Sequence, residues 1–302
     1  MSARARLRSL LFVPGDSERK QAKALECPAD ALILDLEDSV DPTQLAAARA
    51  RVAELLQQHE RRAQQLWVRV NPLSSGLLLE DLVAVLDAGA APDGIVLPKV
   101  SSPGEIAQVD HYLAALEVNA GHAAGATRLI VIATETPQGL LALPQYAGAL
   151  PETTRARLVG LTWGMEDLGA ALGARAKLDS GGELTLPFQL ARATCLLTAA
   201  SLAIAPIDGV HAQFRDQQGL GRELESARRD GFVAKLAIHP EQVAPINAAF
   251  TPTSAEIEHA RQVLAAFAAT PGAGVVSLDG QMLDRPHLLA AQRILELAAA
   301  DS

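Results

Sequence analysis

The chain has 302 residues, 49% hydrophobic and 20% charged, with a net charge of −9 and 3% aromatic residues. That length suits one large α/β domain with an appendage, or two domains. An acidic chain without a Lys/Arg block or an aromatic stacking platform excludes a nucleic-acid partner.

The chain opens basic and then apolar, but the run Leu10 to Val13 stops at Pro14-Gly15. It is too short for a signal segment. Cys27 and Cys195 form neither a CxxC spacing nor a disulfide framework, which predicts a reducing, cytoplasmic setting. The oiliest stretch, 184–207, is interrupted by Pro187, Gln189 and Arg192. It reads as a buried helix leading into a strand rather than a membrane span.

Apolar or β-branched runs at 8–13, 31–36, 66–70, 94–98, 128–133, 157–162, 203–208 and 232–238 predict strands. Helical stretches fall between most of them, at 42–58, 77–88, 103–118, 185–202 and 215–229. Eight strand–helix units predict an α/β fold, a (β/α)8 TIM barrel over 1–250. A doubly wound open sheet is the alternative, but its Gly-rich first turn is absent, since VPGDSER stands there. Residues 251–302 are left for a small C-terminal lid or arm: a helix at 254–268, a Gly-rich loop, a short strand, a turn and a last amphipathic helix. So short a tail should lack a core of its own and pack on a neighbour.

Barrel enzymes do their chemistry at the C-terminal ends of strands. Those ends carry Asp35, Glu37 and Asp38 in LILDLEDSV, Arg69 in WVRVN, Lys99 in LPKV, Glu135 in TETPQG, Asp167 in WGMEDL, Asp208 in PIDG and His239 in AIHP. So many acids on one rim repel one another unless a cation joins them. Mg2+ fits a site with few protein carboxylates and substrate oxygens completing its shell, with Mn2+ as the variant. The histidines show no zinc-ligand spacing.

Several of these residues have a structural alternative. Glu37 and Asp38 could cap the helix that Pro42 begins, Glu135 could open a helix at Pro137, and Glu166 could replace Asp167. Arg19, Lys20 and Lys23 could be a solvated helix face, and Asp284 a helix cap. Lys99 and Asp208 read as structural ion partners, and His239-Pro240 as a strand-end turn.

RSLLFVPGD, LILDLEDSV, WVRVN, DGIVLPKV, TETPQG, WGMEDL, PIDG, GFVAKLAIHPEQ and DGQMLDRP, in this order, resemble the citrate lyase β-subunit-like (CitE-like) proteins of the HpcH/HpaI aldolase/citrate lyase family, with malyl-CoA and citramalyl-CoA lyases as relatives. The resemblance implies a magnesium-dependent lyase that cleaves or forms the carbon–carbon bond of a β-hydroxyacyl-CoA, giving acetyl-CoA and a 2-oxo acid. It implies Glu135 and Asp167 as metal ligands, with Glu37 and Asp38 behind them orienting the ion's waters. Arg69 would bind the oxo-acid oxygen and Asp284 would be an acid/base reaching a neighbouring subunit's site. Arg19, Lys20 and Lys23 would meet the CoA phosphates, and the protein would be a homotrimer or hexamer. The hydroxyl base stays open between a metal-bound water and Asp284. A CoA-independent 2-oxo acid aldolase, a subunit working only inside a larger lyase, and a thioesterase that hydrolyses the cleavage product are the alternative activities. The stretch 178–187 borders the expected acyl pocket but names no substrate.

Overall fold

The structure, a computed structural model, describes residues 7–58, 64–86 and 91–299. Eight parallel strands close into a barrel in sequential order: β1 Ser9–Pro14, β2 Ala31–Asp35, β3 Gln65–Arg69, β4 Gly94–Leu97, β5 Arg128–Ile132, β6 Leu158–Thr162, β7 Ala205–Asp208 and β8 Ala234–Ala237. All eight lie within or next to the apolar runs of the sequence, and β8 pairs back onto β1. The open-sheet alternative is thereby removed.

Helices fill the outer layer: α1 Glu18–Leu25, α2 Leu45–Gln58, α3 Leu78–Leu86, α4 Pro103–Asn119, α5 Pro137–Ala142, α6 Tyr146–Ala149, α7 Glu152–Arg157, α8 Met165–Leu172, α9 Leu186–Ser201, α10 Gln217–Asp230 and α11 Val243–Phe250. Residues 87 and 88 of the expected 77–88 helix lie outside the described residues. Between β5 and β6 the chain uses three short helices, because Pro144 and Pro151 interrupt any longer one. The oily 184–207 segment is α9 followed by β7, and among the described residues no helix is long and apolar enough to cross a membrane.

Alternation along the strands divides the core in two. Leu10, Ile33, Trp67, Val96, Ile130 and Leu236 point into the barrel and fill it, while Leu11, Leu32, Leu34, Val68 and Val131 pack outward against the helices. Trp67 needs a glycine beside it, since a Cβ on Gly94 would lie 2.2 Å from its ring. Once the interior is filled, the inward position at the end of β2 is Asp35, and the parallel register sets it beside Arg69 at the end of β3.

The tail adds α12 Ser254–Ala269, an antiparallel hairpin of β9 Val275–Leu278 and β10 Gln281–Asp284, and α13 Arg285–Ala299. Asp279 and Gly280 both adopt the left-handed backbone that a two-residue hairpin turn demands. The expected single short strand is therefore a hairpin. The expectation of a coreless tail is also corrected, because Ala260, Val263, Val276, Leu283 and Ala291 form an apolar cluster between α12, the hairpin and α13. Burying these side chains contributes to holding the four elements to one another.

Candidate active site at the C-terminal rim of the barrel

Arg69 is fixed at the centre of the rim. Its Nε and Nη2 donate to the two oxygens of Asp35, both at 2.6 Å. Its guanidinium also lies over the Phe12 ring, 4.7 Å from the centroid. Asp35 is 1% exposed and accepts two further hydrogen bonds, from the Glu37 and Ser39 N–H groups at 3.0 and 3.2 Å. Burial pulls its pKa upward, but the bidentate guanidinium prevails and holds the carboxyl below its ordinary range.

The loop beyond Asp35 is braced from β3. The Leu36 N–H donates to the Arg69 carbonyl, and Asn71 donates to the Leu36 carbonyl at 2.8 Å. This aims Glu37 inward, where Oε2 lies 2.8 Å from Arg69 Nη1 but out of line for a hydrogen bond. Burial raises the Glu37 pKa against the pull of Arg69 and Lys99. Neither Glu37 nor Asp38 caps the next helix; Asp41 does so, accepting from Thr43 at 2.8 Å.

Glu135 ends the β5 turn and is almost wholly buried. Thr136 performs the helix capping there, accepting from the Gly139 N–H, which leaves the Glu135 carboxylate for the rim. One of its oxygens accepts the Lys99 N–H at 2.6 Å. Burial pushes its pKa up to about 8, helped by the negative charges of Glu37 and Asp167. Gly164 gives it room, since a Cβ there would lie 2.8 Å from Glu135 Cγ. Asp167, in the first turn of α8, stands 3.5 Å from Lys99 Nζ. Its neighbour Glu166 instead pairs with Lys177, which favours Asp167 over Glu166 as the rim acid.

Lys99 is the residue that sequence reasoning placed as an ion partner without giving it a place in the site. Its ammonium bonds Glu37 and both oxygens of Asp38, the latter at 2.9 and 3.0 Å. A lysine directly after a strand end in a chain of rim acids was the available signal. Its contact with four acids depends on a left-handed backbone, φ 52°, that no spacing reveals.

The rim thus gathers Glu37, Asp38, Arg69, Lys99, Glu135 and Asp167. It does not gather the other predicted residues. Arg19, Lys20 and Lys23 are exposed on α1. Asp284 is half-exposed at the end of β10 and bonds His287 Nδ1 at 2.6 Å, a local helix-start contact within the tail. Asp208 is an outward ion partner, held by Trp163, Arg192 and Lys235. His239 opens a strand-end turn as expected.

Among the described residues no three His, Cys, Asp or Glu side chains make a complete metal cage. Glu135 and Asp167 nevertheless fit a hard divalent cation. Both are oxygen donors on the rim, and burial with the negative charges of Glu37 and Asp167 raises the Glu135 pKa, so an added cation would favour its ionised form. Two carboxylates with open positions match Mg2+, which retains waters or substrate oxygens.

A sequence model of the HpcH/HpaI aldolase/citrate lyase family matches residues 8–240. The chain is 34% identical to the mitochondrial citramalyl-CoA lyase of Rattus norvegicus, over 97% of this chain and 86% of that protein. It is 35% identical to a (3S)-malyl-CoA thioesterase of Cereibacter sphaeroides, over 97% and 95%. The crystal structure of the protein CitE from Mycobacterium tuberculosis in complex with magnesium, acetoacetate and coenzyme A aligns with a TM-score of 0.77 and 31% identity, covering 98% of this chain and 99% of that one.

Proposed function

The chain belongs to the HpcH/HpaI aldolase/citrate lyase family, and on that premise we propose that it is a magnesium-dependent CoA-ester lyase. Its substrate is a β-hydroxyacyl-CoA of the malyl, citramalyl or citryl type, split to acetyl-CoA and a 2-oxo acid or assembled from them. The observation that carries this reading is Arg69, a permanent cation clamped by Asp35 and facing Glu37 and Glu135 where barrel enzymes do their chemistry. Relatives named for citramalyl-CoA and malyl-CoA, and a similar structure holding magnesium and coenzyme A, support the substrate class.

Glu135 and Asp167 would hold the ion. Bound there, it supplies Lewis-acid polarisation of the substrate's oxygens and lowers the pKa of its hydroxyl. Arg69 presents Nη1, the guanidinium nitrogen not engaged by Asp35, to the oxo-acid oxygen or carboxylate. Glu37 and Asp38 sit behind these groups, holding Lys99 and facing Arg69. Cleavage passes the hydroxyl proton to a base, a water or Asp284 itself, and breaks the carbon–carbon bond, and the electron pair retreats into the thioester. The resulting carbon takes a proton, which Asp284 Oδ of a neighbouring subunit would deliver as residues 251–302 close over the rim and exclude water. Arg19, Lys20 and Lys23, exposed on α1 just after β1, would meet the CoA phosphates.

The test is purified protein with Mg2+ and a panel of malyl-, citramalyl- and citryl-CoA. Acetyl-CoA and a 2-oxo acid should appear, and should vanish with EDTA and with Asp167→Asn. Mixing the inactive Asp284→Asn and Asp167→Asn chains in one oligomer should restore part of the activity, because each supplies what the other's site lacks. If well-folded protein cleaves no member of the panel, the reading is wrong, and a CoA-independent aldolase or a subunit of a larger lyase takes its place. The similarity to a malyl-CoA thioesterase favours one second reading, hydrolysis of the thioester. Free CoA together with the intact hydroxy acid would establish it.

A further inference from the structure

Lys99 has no chemical step in this reading, yet it contacts four acids of the rim, Glu37, Asp38, Glu135 and Asp167. Its left-handed backbone is a conformation that a lysine adopts only when its surroundings hold it there. The effect is a division of labour within one residue. The backbone N–H is aimed at Glu135 Oε2, 2.6 Å away. The ammonium reaches the other way, to Glu37, to both oxygens of Asp38 and to within 3.5 Å of Asp167 Oδ1.

We propose that Lys99 is a resident monovalent cation of the rim, sharing Asp167 with the divalent ion and thereby setting how tightly that ion is held. The inference rests on the assignment of Glu135 and Asp167 as the metal ligands. An ammonium among three carboxylates neutralises part of the charge that attracts a dication, and like charges a few ångströms apart repel. With an effective dielectric near that of a protein surface, this lowers affinity for the dication by at least about tenfold.

Arg69 is no substitute in this role. Asp35 holds it along its Nε–Nη2 edge, it lies over Phe12, and its side chain is 11% exposed. The Lys99 side chain is 24% exposed and carries a point charge on a flexible four-carbon stem. It can withdraw from Asp167 while its N–H keeps Glu135 in place. Arg69 is the fixed charge of the site and Lys99 the movable one.

The experiment titrates Mg2+ alone into chelator-treated full-length protein by calorimetry, and records thermal melts with and without the ion. Three chains are compared: wild type, Lys99→Asn, which removes the charge with a residue tolerant of left-handed backbone, and Lys99→Arg, which keeps the charge. Lys99→Asn should bind Mg2+ at least about tenfold more tightly than wild type. It should melt lower without the ion and gain more from it, whereas Lys99→Arg should stay near wild type. A residue serving only as a brace predicts the opposite sign, so unchanged or weaker Mg2+ binding by Lys99→Asn overturns the inference. Should that variant not fold, Lys99→Gly, suited to φ 52°, is read in its place with the same expectation. Failure of wild type to bind Mg2+ would overturn the metal assignment and this inference together. Wild-type binding that Asp167→Asn abolishes, with no gain in the neutral Lys99 variant, would overturn this inference alone.

Discussion

Replacing Asp35 by asparagine keeps the shape of the side chain and turns one acceptor oxygen into an NH2. In the native rim both oxygens accept from Arg69 at 2.6 Å, and each also receives a loop N–H. An amide can serve one edge only. The other edge would set NH2 against a guanidinium N–H and against the N–H of Glu37 or Ser39, with almost no water to relieve it. A charge-assisted hydrogen bond contributes about 1.5–3 kcal/mol, and breaking a buried ion pair from one side costs about 3–5 kcal/mol. We therefore expect Asp35→Asn to lose about 3–5 kcal/mol, measured by urea unfolding at pH 7 in metal-free buffer. The double variant Asp35→Asn/Arg69→Met should recover about 2 kcal/mol relative to the sum of the singles, since the amide then no longer opposes a buried guanidinium while Glu37 keeps Lys99. A loss below about 1 kcal/mol for the single variant, the figure for an exposed pair, or strict additivity in the double, would refute the view of Arg69 as a clamped charge.

Gly164→Ala places a Cβ 2.8 Å from Glu135 Cγ. That atom is near the root of a buried side chain and cannot swing clear. The expected cost is about 1–3 kcal/mol of stability, together with weaker Mg2+ binding by calorimetry, and an unchanged Mg2+ affinity would show that Glu135 does not depend on this gap.

Away from the rim, burial opposes ionisation of Glu117, but Arg157, with Nη1 and Nη2 donating at 2.6 and 2.8 Å, and the Gly125 and Thr127 N–H groups outweigh it. Its pKa is lowered to about 2 from an ordinary 4.5. A depressed folded-state pKa adds stability above pH 4.5 that is lost as pH falls from about 4.5 towards 2. Unfolding free energies between pH 7 and 3 should fall less steeply for Glu117→Gln than for wild type, and parallel curves would contradict the assignment.

LILDLEDSV illustrates what local pattern can carry. The apolar run followed by acids is legible as a buried strand that ends at a charged rim, and the nine ordered motifs place Glu37, Asp38, Arg69, Glu135 and Asp167 on that rim. The choice between capping and rim duty was not legible for Glu37, Asp38 or Glu135. It turns on which neighbour, Asp41 or Thr136, takes the cap. The tail hairpin was half legible, because the Asp279-Gly280 turn is a local signal while its second strand, QMLD, is too short and too polar to stand out.

By itself the sequence determined the eight strand–helix units, the absence of a Gly-rich nucleotide turn and the acids at the strand ends, because each is a property of residues adjacent along the chain. Three features were decided only by tertiary structure: the bidentate hold of Asp35 on Arg69, the removal of Glu166 from the rim by Lys177, and the reach of Lys99 to four acids. The physical reason is the same in each. These are contacts between residues that are not neighbours along the chain: barrel closure and parallel register set the first, the path of the chain after α8 the second, and one left-handed residue the third. Charge interactions fall steeply with distance in a solvent-screened rim, so a shift of one register position would exchange every partner.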